Sequence, residues 1–170
     1  MINDKIKPNG ELNIVLRDQF GNIKEQRTVP NAITTLGKSL IAQRIMVTTT
    51  AVAPTHMALG TGSGTVGGTQ QTLFTEAAST RVNGALSSTM GTGADVNKIT
   101  YSNTFAGGVG TAALTEAGIF TAQSGGILLC HTTFNAVNKD ANDTLTINWT
   151  ITISYSLTCL ALFDQNFIQN

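Results

Sequence analysis

The stretch Leu145 to Tyr155 (LTINWTITISY) constrains the fold more than any other part of the chain. Leu145, Ile147, Trp149, Ile151, Ile153 and Tyr155 alternate there with Thr146, Asn148, Thr150, Thr152 and Ser154. Successive side chains of a strand point to opposite faces, so this period predicts a long strand with one dry face and one lined by hydroxyls and amides. The dry face must be covered by other parts of the fold. The Thr-lined face is left to meet water or a neighbour.

Shorter runs repeat the signal. Glu11 to Arg17 (ELNIVLR), the turn Asp18-Gln19-Phe20-Gly21-Asn22 and Ile23 to Val29 read as a hairpin. His56 to Gly60, Ile99 to Ala106, Ile119 to Thr121 and Ile127 to Phe134 read as further strands. They are parted by turns such as Gly107-Gly108-Val109-Gly110, Ser124-Gly125-Gly126 and Asn138 to Asp143. Strands recurring at roughly eight- to twelve-residue intervals between such turns predict a mainly β, antiparallel β-sandwich or jelly-roll, and argue against a parallel α/β fold. One helix interrupts the pattern. Within Ala32 to Met46, Ile33, Leu36, Leu40, Ile41 and Ile45 share a helical face, with Asn31 as expected N-cap and Gly37 as a local weakness.

The expected organisation is an N-terminal arm or hairpin (1–30), a β-sandwich domain (31–156) carrying the helix 32–46, and an apolar C-terminal tail (157–170). The tail contains Leu160, Leu162, Phe163, Phe167 and Ile168, which are costly to leave in water. Such a segment closes the domain or docks on another subunit. The polar start Met1 to Gly10 has no apolar segment behind it, so no signal peptide is expected, and no apolar run is long enough for a helical membrane span.

Charge is sparse and balanced, with ten basic and ten acidic residues. A protein that grips a phosphate backbone needs a concentrated basic stripe, so no direct nucleic-acid contact is expected. Lys24, Arg27, Lys38 and Arg44 read as ordinary solvated charge. A surface this poor in charge departs from that of a freely soluble monomer, which suggests that much of it is covered in an assembly.

Organised chemistry is missing from the pattern, and the expectation is a non-enzymatic chain with no cofactor and no metal. The loop Gly60 to Gly68 (GTGSGTVGG) lacks the Lys-Ser/Thr ending of a phosphate-binding loop and reads as a flexible or partner-ordered surface loop. His56 and His131 are far apart in sequence, without Cys, Asp or Glu at ligand spacing, and adjacent His131 and Cys130 would point to opposite faces of a strand. Glu76 and Glu116 fall in matching triplets, Thr75-Glu76-Ala77 and Thr115-Glu116-Ala117, which suggests similar loop roles. The turn Asp140 to Asp143 lacks the full calcium-loop pattern. Cys130 and Cys159 lie in apolar runs and read as reduced core thiols, although a cross-strand disulfide is geometrically open to them.

Five phrases occur in order along the chain: Asn31 to Arg44 (NAITTLGKSLIAQR), His56 to Gly64 (HMALGTGSG), Leu114 to Phe120 (LTEAGIF), Ile127 to Phe134 (ILLCHTTF) and Thr144 to Ile153 (TLTINWTITI). Together they resemble small structural proteins of tailed bacteriophages, a group similar both to head-decorating proteins and to attachment or collar modules of tail fibres. The resemblance implies β-sandwich subunits on a virion assembled in the bacterial cytoplasm, often oligomeric, with the major capsid protein or neck and tail proteins as partners. The compact length favours a capsid decoration (cement) protein over a tail, collar or fibre component. A glycan- or receptor-binding module is the reading from a different class, with the glycine-rich loops as its contact surface. For an assembling subunit the candidate interface anchors are Phe20, Trp149, Phe163, Phe167 and Ile168, because aromatic and large apolar side chains concentrate at buried interface centres. Trp149 also reads as core, from its place in the alternation.

Overall fold

The computed structural model describes residues 3–46 and 50–158. In chain order its elements are β1 (Asn3–Arg17), β2 (Ile23–Ile33), α1 (Thr35–Ile45), β3 (His56–Gly60), β4 (Ser87–Met90), a 3-10 turn (Gly93–Asp95), β5 (Lys98–Phe105), β6 (Ala112–Phe120), β7 (Leu128–Lys139) and β8 (Thr144–Thr158). The strands form one antiparallel sheet in the order β3-β6-β7-β2-β1-β8-β5-β4.

β2 joins the two halves of this sheet. It pairs with β1 as far as Gly10↔Asn31, and its last two residues then pair with β7 as Ala32↔His131 and Ile33↔Cys130. The sheet curls so that both halves face a common core. Leu12, Ile14 and Leu16 of β1 and Leu145, Ile147, Trp149 and Ile151 of β8 share one buried cluster with Met57, Leu59, Leu114, Ile119, Leu129 and Val137 from the other half. The alternation in β8 thus does what its period requires. Ile147 and Trp149 are fully buried, while Thr146, Asn148, Thr150 and Thr152 face away from the core.

The hairpin over 11–29 forms, with Asp18 organising its turn. Asp18 Oδ1 accepts from the backbone N–H of Phe20 and of Asn22, both at 2.9 Å, and Oδ2 accepts from Asn22 Nδ2 at 3.0 Å. The side-chain bond from Asn22 is the largest of the effects holding the Asp18 carboxyl below its usual range. β1 lies between β2 and β8 in the sheet and supplies core side chains.

The helix departs from expectation at its start. β2 carries Ile33 into the sheet, and Thr34, not Asn31, caps α1: its Oγ1 accepts from Gly37 N–H at 2.9 Å and donates to the Leu128 carbonyl at 2.6 Å. Gly37 is where the helix meets β7, since a Cβ there would lie 2.0 Å from the Leu129 carbonyl oxygen. Leu40 is buried and Ile41 packs on the core, whereas Leu36 and Ile45 remain exposed. β4 is the short strand Ser87–Met90, exposed at all four positions.

Candidate functional site

The glycine-rich loop lies over the far side of the β3-β6-β7 half, and its geometry follows from one buried carboxylate. Glu116, on β6 and fully buried, accepts N–H bonds from Gly62 (2.9 Å), Phe74 (2.8 Å) and Thr75 (2.7 Å), and meets His131 Nε2 at 2.9 Å. Converging backbone N–H groups are how such loops hold anions. Here the loop's own chain supplies the anion. At Gly62 the fit is close, because a Cβ would stand 2.5 Å from Glu116 Oε1. Thr115 Oγ1 donates to the Gly62 carbonyl at 2.6 Å, so the loop is ordered from within, without a partner.

His131 completes the cluster. Burial lowers its pKa, outweighing the opposing bond to Glu116, so the ring is neutral at pH 7 and donates Nε2–H to the carboxylate. Its Nδ1 is buried with no hydrogen-bond partner, and the Phe74 ring lies 5.1 Å away, centroid to centroid. Glu76 has a parallel task. Gly60 of β3 pairs with Glu116 on one side and bridges to Glu76 on the other, so the matching Thr-Glu-Ala triplets flank the same strand end. Glu76 is paired with Arg81, whose guanidinium sits 3.5 Å over the Phe120 ring and donates to the Gly125 carbonyl at 2.9 Å. Both glutamates therefore hold loops in place.

Other charged groups are also engaged internally. Lys24 bridges Asp140 (2.8 Å) and Asp143 (2.6 Å), which raises the Lys24 pKa and lowers that of Asp143. Arg27 donates to the Asn135 carbonyl and Arg44 to that of Ala51. Among the described residues no group of three or more His, Cys, Asp or Glu is placed to hold a metal ion. Cys130 is buried, and burial pushes its thiol well up; Cys159 lies outside the described residues.

Three surfaces remain. The first is the outward face of β4, β5, β8, β1 and β2. Registered rows such as Thr89-Thr100-Thr150-Glu11 and Ser87-Ser102-Asn148-Asn13-Thr28 cross it. The rows are stitched by Thr100 to Thr150 (3.0 Å), Ser102 to Asn148 (2.6 Å) and Asn13 to Thr28 (3.2 Å). A cavity of about 830 Å³ opens on this face, walled by Gly91 and Asp95, and no aromatic residue lines it.

The second is the hairpin tip, where the Asp18-bound turn presents Phe20 at 80% exposure beside exposed Ile23. The third combines a ribbon and a groove. The ladder of β1 with β2 ends at Gly10 and that of β8 with β5 at Lys98↔Thr152, yet β1 and β8 stay paired from Pro8↔Ile153 to Asn3↔Thr158. They run on as a two-stranded ribbon that no third described strand flanks. At its base an apolar groove of about 310 Å³ lies between α1 and the sheet, lined by Leu40, Ile41, Ile45, Ile99, Ile151 and Ile153 among others.

Of the five candidate anchors, Phe20 is at the surface, and Trp149 is fully buried in the core and so offers no surface to a partner. Phe163, Phe167 and Ile168 lie outside the described residues. The Glu116-His131 cluster went unread because its members are joined only by the pairing of β6 with β7; the repeated triplet was the one trace of it in the sequence.

Fold and surfaces define a mainly β protein with one helix and a curled antiparallel sheet, whose polar outer face, aromatic turn and ribbon-and-groove end are its prominent external features. Comparison of the chain with known protein families, curated proteins and solved structures finds no match.

Proposed function

We propose that the chain is a non-enzymatic structural subunit of a tailed-bacteriophage virion, a capsid decoration protein that stabilises the assembled head. One observation carries the assembly part of this reading: the β1-β8 ribbon outruns the sheet that anchors it. A two-stranded ribbon is marginal in water, and its edges are templates for another chain. A strand pair continued past its own core is therefore of use chiefly to a neighbouring subunit. The virion part of the reading rests on the sequence resemblance.

In this reading the two halves of the curled sheet, facing each other over one core, are the layers of a β-sandwich of jelly-roll type. Binding only the assembled shell would add free energy to that state and none to its free components. Many copies per head would multiply the effect. The rigid, exposed Phe20 supplies a second contact of the kind that anchors protein interfaces.

The glycan-binding alternative finds less support, because the polar cavity on the Thr-lined face has no aromatic residue in its lining on which a sugar ring could stack. A collar or fibre-attachment role shares the ribbon argument and differs in location. A cryo-electron reconstruction of the phage encoding this chain separates the two. Density for the curled sheet on the capsid shell is expected. Density confined to the neck or tail would replace decoration with the collar role, and absence from the particle would overturn the virion reading.

A further inference from the structure

We propose that the apolar groove between α1 and the sheet receives the C-terminal segment 159–170 of a second copy of this chain, so that subunits are joined by exchanged tails. This rests on the assembly reading and deepens it by naming the docking site and its occupant.

The groove is apolar across most of its lining, with Ile45 78% and Ile153 36% exposed at its mouth. One cation, Arg44, stands on its wall; it is exposed and uses one N–H on the Ala51 carbonyl at 3.0 Å. The segment that follows β8, CLALFDQNFIQN, matches this lining in kind. It carries Leu160, Leu162, Phe163, Phe167 and Ile168, with Asp164 as its single charged residue. An apolar trough with one base thus faces an apolar peptide with one acid.

Direction decides whose tail enters. β8 passes the groove at Ile151 and Ile153 and then continues, paired to β1, to Thr158. At about 3.3 Å per residue, Thr158 stands about 17 Å beyond Ile153 and is still heading outward. At Thr158 the described strand is thus already well past the groove of its own chain. A copy docked at the ribbon tip meets the segment that follows, and burial of two phenylalanines in a waiting trough then favours the exchange.

The test reverses the charges in the full-length chain and measures self-association by sedimentation velocity and light scattering. Circular dichroism verifies that each variant folds; Arg44 is exposed, so the fold tolerates its replacement. Arg44→Glu alone sets Glu against Asp164, and Asp164→Arg alone sets Arg against Arg44. Each should weaken association about 10-fold or more. Combining both changes in one chain should restore it. Mixing the two single variants should also restore it, because each groove then meets the other chain's complementary tail.

Restoration by the double variant but not by mixing would place the tail in its own groove and overturn the exchange. Single variants that associate as the unaltered chain does would overturn the docking site while leaving the assembly reading standing. A chain monomeric at every concentration would overturn the exchange, and the virion reading would still answer to the particle reconstruction. Phe163→Ser with Phe167→Ser gives an independent measure. Loss of two buried aromatic side chains should weaken association by about 100-fold, and no change would reject the proposal.

Discussion

Glu116 illustrates how a single side chain can replace a ligand. Its buried carboxylate takes three loop N–H groups and the His131 ring. Replacing it leaves the buried Gly62 N–H and His131 ring without an acceptor, and each unsatisfied buried group costs about 1–3 kcal/mol. Glu116→Ala should therefore destabilise the fold by about 2 kcal/mol or more in urea unfolding and should raise hydrogen exchange at Gly62, Phe74 and Thr75. Glu116→Gln keeps an acceptor oxygen and should cost less. Equal stability of all three chains would mean that the loop is held by Phe74 and the neighbouring threonines alone. The sequence allowed the loop to be separated from a nucleotide site, since it lacks the terminal Lys. It could not reveal the internal anion, because Glu116 reaches Gly62 across 54 positions and only the pairing of β3 with β6 brings them together.

At the level of elements, local pattern carried furthest where one face is dry and one wet. β8, and the hairpin of β1 and β2, were legible for that reason. α1 was legible as a helix but not in its boundaries: Ile33 fits the helical spacing equally well, and pairing with Cys130 on β7 draws it into the sheet. β4 was hidden because Ser87–Met90 is exposed at all four positions and shows no alternation. Gly37 reverses its expected sign. Helix propensity alone would make Gly37→Ala stabilising by about 1 kcal/mol. The Leu129 carbonyl occupies the space a methyl would need, so the helix must lift from β7. A net loss of about 1–3 kcal/mol is expected in thermal unfolding, against little change for Lys38→Ala on the exposed side. A stabilised Gly37→Ala chain would show that the helix floats on the sheet instead of bearing on it.

For the whole molecule, the described core and the sheet end at different places. Among the side chains described, the core reaches as far as Leu12 in β1 and Ile151 in β8, whereas the two strands remain paired to Asn3 and Thr158. Stability and assembly should therefore be separable along the same pair of strands. Removing residues 1–8 deletes the β1 side of the ribbon and leaves Leu12, Ile14 and Leu16 in register with β8 and β2. The shortened chain should keep its β circular dichroism and melt within a few degrees of the full chain, since burial of apolar surface dominates folding and none of the described core is lost. Its self-association should fall about 10-fold or more, because β8 then continues past Thr152 without the partner strand that stiffens it. A shortened chain that unfolds would mean that the ribbon completes the fold. One that folds and associates unchanged would mean that the subunits meet elsewhere, with the Thr-lined face and the Phe20 turn as the surfaces left to carry the contact.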